Sequence, residues 1–324
     1  MKHVLALTFG DAATASTHFR ILQYRDFLAS EGIECDWFPA NDFCDFTSLG
    51  KYDVVILQKK LIPIAALRKL RNHAKRLLYD ADDLIWISPE KRHSFITRFR
   101  ITRRLRAIAA AADLCLAANR VIASDLEAHG GRTAIVPMAL DGKRWQDPVK
   151  DEVPLTIGWS GAPKNLVFLQ EILPQLREVQ RRHPEVRWAI HSGLNPCFDN
   201  FVYTHFPFVA EREHETIASF HIGLLPLPNN RFACGKSPIK ALQYFACRTA
   251  VAAAPLGATG EIVRDCENGL WVQQPSEWVN VLERLISDAP LRHRLANSGR
   301  HDFIDNYELS IVGRQLAAAI RNDF

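Results

Sequence analysis

The chain has 324 residues, 48% of them hydrophobic and 23% charged, with a formal net charge of +4, which suits two globular cores rather than a disordered or fibrous chain. No apolar stretch approaches a bilayer span, and Met1–Leu7 is too short for the apolar region of a signal peptide. The seven cysteines are scattered, odd in number and without a Cys-x-x-Cys pair, which argues against a disulfide framework or a zinc site and for a reducing, cytoplasmic compartment.

Lys2–Phe9 reads as a first strand, emptying into the small-residue loop Gly10–Ser16. Thr17–Ser30 reads as a helix with apolar Phe19, Ile21, Leu22, Tyr24, Phe27 and Leu28, ended by Gly32. Ile33–Phe38 and Tyr52–Gln58 are further strands and Leu61–Ala74 a basic helix. Arg76–Tyr79 is a strand that runs into Asp80, Asp82 and Asp83. Carboxylates this close repel, so a cation such as Lys59, Lys60 or Arg76, or a raised pKa, is expected among them. His93–Arg106 holds Arg98, Arg100, Arg103, Arg104 and Arg106 among Phe95, Ile96, Phe99, Ile101 and Leu105. A solvated helix face is one reading of it; a patch resting on an anionic membrane surface is the other. No aromatic-basic RNA motif accompanies it, so nucleic acid is not an expected partner. Leu114–Ala117 is a strand leading to Asn119, Val121–Gly130 a helix and Thr133–Pro137 a strand. Gln146–Pro154, charged and without periodicity, reads as a linker.

The second half restarts with the strand Leu155–Trp159, the loop Ser160–Asn165 and a helix from Leu166 to about Arg182. A loop of this kind sets backbone N–H groups and Lys164 beside a phosphate, unless it is an ordinary turn. Val186–His191 and Phe206–Val209 follow as strands, then the helix Arg212–Ser219. His221–Pro228 is a strand, Asn229–Gly235 a loop, and Lys236 stands before a helix with Ser237 as its expected cap and Pro238 at its first position. Ile239, Leu242, Phe245 and Ala246 mark the buried face of that helix, and Lys240 and Gln243 share another. Thr249–Ala254 is a buried strand and Pro255–Gly257 a turn. Glu277–Asp288, Pro290–Tyr307 and Leu309–Asn322 read as closing helices. Strand–helix–strand units predict α/β architecture with parallel sheets and an anionic ligand at the C-terminal strand ends.

The run Gly235–Val272 resembles the donor-site signature of retaining GT-B glycosyltransferases, in particular glycosyltransferase family 4. The matching residues are Pro238, Lys240, Gln243, Tyr244, Phe245 and Ala246, then Gly257, Gly260, Glu261, Asn268 and Gly269. The helix Glu of the family is Gln243 here, and its other Glu, eight positions earlier, falls on Gly235. Tyr79–Trp86 resembles the Tyr-Asp-x-Asp-Asp-Leu-x-Trp element of a glycosyltransferase subset, and the run Ala112–Trp145 resembles other elements of the family. The resemblance implies two Rossmann-like domains facing a central cleft: residues 1–150 on the acceptor side, 151–308 on the donor side, and a helix at about 309–324 packing back on the first.

It further implies a nucleotide-diphosphate sugar as co-substrate, a glycan or lipid-linked acceptor, and no cofactor. Carried over residue by residue, Gly161, Lys164, Lys236 and Ser237 would hold the donor diphosphate, and Gln243, Gly257 and Glu261 the ribose or sugar. His18 and Arg20 would meet the acceptor, and Asp82 and Asp83 would be catalytic. Asp80 and Asp82 also fit the metal-binding Asp-x-Asp of GT-A enzymes, but the two-domain pattern favours GT-B, which needs no metal. A non-catalytic nucleotide-sugar binder is the second reading, motivated by Gly235 and Gln243. A nucleotide-sugar epimerase would need a carboxylate-rich cleft in the second half. The expected location is the cytoplasm, with the arginine-rich patch at the inner face of the membrane.

Overall fold

The computed structural model describes residues 1–87, 94–145, 150 and 153–323. The expected linker Gln146–Pro154 lies largely outside these residues, as does His93 at the head of the arginine-rich stretch. The chain divides into two compact units.

Unit 1 comprises Met1–Ala139, Cys234–Ser237 and Leu309–Phe324. Its strands are β1 (Lys2–Thr8), β2 (Ile33–Pro39), β3 (Val54–Gln58), β4 (Leu77–Ala81), β5 (Leu114–Ala117) and β6 (Thr133–Ile135). They lie in the order β2-β1-β3-β4-β5-β6, every neighbouring pair parallel. β3, β4 and β5 are buried along their whole length, which is why they read as unbroken apolar runs rather than alternating ones. The helices are α1 (Ala15–Arg20), α2 (Arg25–Ser30), α3 (Ile64–His73), α4 (Phe95–Ala111), α5 (Arg120–Glu127) and a C-terminal helix, Leu309–Arg321. Val312, Leu316, Ala317 and Ile320 of that last helix share one core with Val4, Ala6, Ile33 and Val54. Each of the valine, leucine and isoleucine side chains among them contributes about 1.5–3 kcal/mol by leaving water. The single helix expected over Thr17–Ser30 is broken. Ile21 leaves helical geometry at φ −125°, and a 3-10 turn, Leu22–Tyr24, joins α1 to α2.

Unit 2 comprises Leu140–Ala233 and Pro238–Glu308. Its strands are β7 (Thr156–Ser160), β8 (Arg187–Ser192), β9 (Thr204–Pro207), β10 (Ile222–Leu225), β11 (Ala250–Ala253) and β12 (Leu270–Trp271). The order is β12-β11-β10-β7-β8-β9, again all parallel. The order reverses direction at β7 and β10, the doubly wound arrangement of Rossmann-like folds. Its helices are α6 (Leu166–Glu171), α7 (Leu173–Arg182), α8 (Glu213–Ala218), α9 (Arg231–Cys234), α10 (Ile239–Ala246), α11 (Ala258–Ile262), α12 (Trp278–Ser287) and α13 (Ala289–Asp302), α9 ending on the first residue of the segment that belongs to unit 1. The helix expected from Leu166 is interrupted at Ile172 because Pro174 has no N–H to continue it.

Candidate functional site

In a doubly wound sheet, the crevice that takes a ligand opens where neighbouring connections leave in opposite directions, beyond the C-terminal strand ends. In unit 1 that point lies between β1 and β3. Gln58, at the end of β3 and fully buried, ties its rim together. Its Oε1 accepts from the Phe9 N–H at 2.9 Å, and its Nε2 donates to the Ser16 carbonyl at 2.7 Å.

The acidic run at the end of β4 is neutralised in two different ways. Asp80 takes the guanidinium of Arg20, with Nε at 3.2 Å from both carboxylate oxygens and Nη2 at 2.5 Å from Oδ1. Arg20 Nη1 donates to the carbonyls of Val136 (2.6 Å) and Pro137 (3.0 Å), and the residue is only 3% exposed. Burial pulls its pKa down, but Asp80 outweighs this and the net shift is upward. Arg20, expected at the acceptor, is therefore an internal tie between α1, β4 and the segment after β6. His18, two residues earlier, is half-buried with its ring edge-on to Phe19 at 5.1 Å.

Lys59 answers the other two acids. Its Nζ lies 2.8 Å from Asp82 Oδ1 and 3.7 Å from Asp83 Oδ2, and 5.5 Å from the centre of the Phe9 ring. It holds a left-handed backbone at φ 50°, a strain that non-glycine residues keep where their surroundings enforce it. Lys60 turns to Asn41 and Arg76 to the Ile320 carbonyl and Asn322, so neither joins the acids. Burial pushes the Asp83 carboxyl above its ordinary value; Lys59 opposes this, Asp82 adds to it, and Lys236 opposes it.

Lys236 and Ser237 belong to unit 1. Ser237 does not cap the following helix: α10 begins at Ile239 behind Pro238, with no side-chain cap. The Ser237 hydroxyl instead donates to the Asp82 carbonyl at 2.7 Å. Asn119, which caps α5 through its Oδ1, uses Nδ2 to donate to the Gly235 carbonyl (3.2 Å) and towards Ser237 Oγ (3.4 Å). A Cβ on Gly235 would lie 2.3 Å from the Leu84 side chain. Any side chain at that position would require Leu84 to move.

In unit 2 the crevice lies between β7 and β10, and Tyr244 of α10 spans it. The Ser160 N–H donates to the Tyr244 hydroxyl at 3.1 Å, and that hydroxyl donates to the Leu224 carbonyl at 3.4 Å. Gly161 follows, where a Cβ would meet the Trp159 indole at 2.4 Å. Lys164 is exposed on the 3-10 turn Pro163–Asn165 that leads into α6. Gly257 precedes α11, and Glu261 is exposed on it.

Beneath the rim, Lys240 Nζ lies 2.6 Å from Glu213 Oε1, and Lys240, with His191 and the buried Gln243, holds the Glu213 carboxyl below its ordinary range despite burial. His191 Nδ1 meets Ser160 Oγ at 3.0 Å. Burial, then the charge of Lys240, pushes the His191 pKa down to about 4, so the imidazole is neutral. Glu213 carries no mark in the sequence, since nothing in linear spacing joins it to a helix 27 residues on. Among the described residues, no group of three or more His, Cys, Asp or Glu is placed to hold a metal ion. No described helix is long and apolar enough to cross a membrane.

Two parallel doubly wound units, each with its crevice at the strand ends, define the GT-B class of fold. Solved structures share it. A sucrose-phosphate synthase from Thermosynechococcus elongatus superposes with TM-score 0.74 at 15% identity, covering 99% of this chain and 98% of that one. Anabaena HepE, solved with UDP, superposes with TM-score 0.70 at 16% identity, over 99% and 100%. WaaG, a glycosyltransferase involved in lipopolysaccharide biosynthesis, gives 0.66 at 15%, over 98% and 99%. No curated protein sequence matches the chain. Residues 154–288, which contain every strand of the second sheet, match the family described as glycosyl transferases group 1. The matched residues fall almost wholly within unit 2.

Proposed function

We propose that the protein transfers a glycosyl group, with retention and without a metal, from a nucleoside-diphosphate sugar to a hydroxyl of a glycan or lipid-linked saccharide. The observation that carries this reading is the family match across the β7–β10 crevice, where Gly161 and Lys164 are assigned to the donor diphosphate. The complexes of HepE with UDP and with UDP-glucose support a uridine nucleotide as donor. Lys236 and Ser237 are assigned to the diphosphate, Gln243, Gly257 and Glu261 to the ribose or sugar, and His18 to the acceptor.

In the reaction the acceptor oxygen bonds to the anomeric carbon as that carbon's bond to the diphosphate oxygen breaks. The diphosphate leaves with the electron pair, stabilised by lysine charge and backbone N–H groups, and the acceptor proton passes to Asp83 while Lys59 steadies Asp82. The commitment of Asp80 to Arg20 and of Asp82 to Lys59 supports a metal-free site, because both acids of the Asp-x-Asp pattern already face cations. EDTA is expected to leave turnover intact; loss restored by manganese would reverse that part of the reading.

Helix α4 exposes Phe95 (83%), Ile96 and Phe99 beside Arg98, Arg100 and Arg103. It is assigned to an anionic membrane surface at the cytoplasmic face, where basic residues contribute about 1 kcal/mol each. Vesicle co-sedimentation indifferent to anionic lipid would remove this part. The central test is calorimetric titration with UDP, GDP and ADP. Lys164→Ala is expected to weaken the preferred nucleotide by about 2 kcal/mol, the scale of a charged hydrogen bond. Unchanged affinity would move the donor elsewhere.

A further inference from the structure

Unit 1 holds a cavity of about 620 Å³, within the roughly 300–1,000 Å³ of small-molecule sites, and none of the residues around it belongs to the donor motif or the acidic strand end. It lies against the flank of the first sheet rather than beyond its C-terminal strand ends: Leu5 is mid-strand in β1, and Tyr52 stands ahead of β3. β2 is the edge strand there, paired with β1 alone, and across the cavity it faces the segment Asp42–Tyr52. The Tyr52 hydroxyl donates to Asp36 Oδ2 at 3.0 Å and ties that segment to the strand. Aromatic rings stand in the wall. Trp37 rests partly on the core, Phe38 is 43% exposed, and Phe43 is edge-on to Phe38 at 5.9 Å and to Phe46 at 5.7 Å. Polar groups of both kinds surround them. Asp36 and Asp42 are exposed acceptors. Arg25 spends its Nε on the Cys35 carbonyl at 3.0 Å, which leaves its Nη nitrogens as donors, and Lys51 Nζ lies 5.0 Å from the centre of the Tyr52 ring.

We propose that this cavity binds a sugar residue of an uncharged glycan. An anion entering it would meet the carboxylates of Asp36, Asp42 and Asp45, and a cation would meet Arg25 and Lys51. An uncharged ligand that both donates and accepts uses the two sets together, because carboxylates only accept and the guanidinium and ammonium groups only donate. A sugar ring is such a ligand. Its hydroxyls lie around the edge, and its C–H faces are apolar and pack on aromatic rings such as Phe38 and Phe43. The sugar is a residue of the acceptor glycan remote from the hydroxyl that reacts, so that unit 1 keeps hold of an extended acceptor at a second point. For the source of the sugar this rests on the glycan acceptor proposed above; the binding itself does not depend on the donor.

The test titrates maltose, cellobiose, chitobiose and mannobiose into the wild type, Asp42→Asn, Phe43→Ala and Phe43→Tyr, followed by saturation-transfer NMR. Choline and inorganic phosphate serve as charged probes and UDP as the donor probe. At least one disaccharide is expected to bind the wild type, with transfer strongest at its C–H protons. Asp42→Asn and Phe43→Ala should each weaken it about tenfold, the scale of one charged hydrogen bond or one aromatic contact. Phe43→Tyr, which keeps the ring, should bind as the wild type does, and UDP should bind all four proteins alike. Asp42 is exposed, so Asp42→Asn carries the comparison if Phe43→Ala fails to fold. Choline or phosphate binding that is lost in these variants would make the cavity a charged-ligand site and overturn the proposal. Disaccharide binding indifferent to Asp42 and Phe43 would place the sugar elsewhere and overturn it too, as would binding of no disaccharide. If UDP still binds in that last case, the donor reading stands without this site; disaccharide binding without UDP binding is the failure of the donor reading alone.

Discussion

The two crevices sit on the same kind of scaffold and assemble their acid–cation pairs in opposite ways. In unit 1 the acids Asp80, Asp82 and Asp83 are neighbours in sequence, and their cations Arg20 and Lys59 arrive from other strands and helices. In unit 2 the acid itself comes from afar: Glu213 of α8 meets Lys240 of the motif helix α10. Strand ends thus fix where a site lies, whereas its charge balance depends on residues with no linear relation to it.

The largest effect should come from breaking the most enclosed pair. Arg20→Met leaves Asp80 charged in the interior and is expected to destabilise the protein by about 3–5 kcal/mol, whereas Arg20→Met with Asp80→Leu recovers most of that loss. Denaturant midpoints measure both. A small loss in the single variant would mean that the pair is not the anchor of unit 1.

The corresponding test in unit 2 uses pH. His191 faces Ser160, Lys240, Glu213 and His205, and its folded pKa, about 4, lies below the ordinary 6.5. A depressed histidine binds its proton more readily when unfolded, so its contribution is full above pH 6.5 and is lost as pH falls towards 4. The expected decline is about 3 kcal/mol over that window. His191→Gln should flatten the curve; an unchanged slope would assign it to other groups.

The sequence carried the strands well because buried parallel strands are continuous apolar runs, as in Val54–Gln58 and Ala250–Ala253. It also marked the Gly161 loop, the acidic strand end and the Tyr244 helix, since each is a local pattern with a local cause. Long-range pairing escaped it. Ser237 has the composition of a helix cap, yet its hydroxyl is drawn to the Asp82 carbonyl 155 residues away. Arg20 sits where a ligand-binding arginine would, but Asp80 claims it from the interior. Lys59 was one of three candidate cations, and only the left-handed turn after β3 aims it at Asp82.

The finest test concerns Asp83, whose carboxyl is raised by burial and pulled down by Lys59 and Lys236. If ionised Asp83 accepts the acceptor proton, kcat/KM falls as pH drops through this raised value, and Asp83→Asn removes that limb. Lys59→Met should move the limb towards neutral pH, because the larger opposing charge is gone. Lys236→Met should move it in the same direction by less. Stability runs the other way. A carboxyl whose folded pKa is raised favours the folded state only below its unfolded value, and this contribution is lost as pH rises through the folded pKa. At neutral pH the ionised side chain is therefore a net strain, so Asp83→Asn should melt higher than the wild type while turning over less. A variant that melts lower, or keeps the acid limb, would take the proton away from Asp83 and leave it as a partner of Lys59 alone.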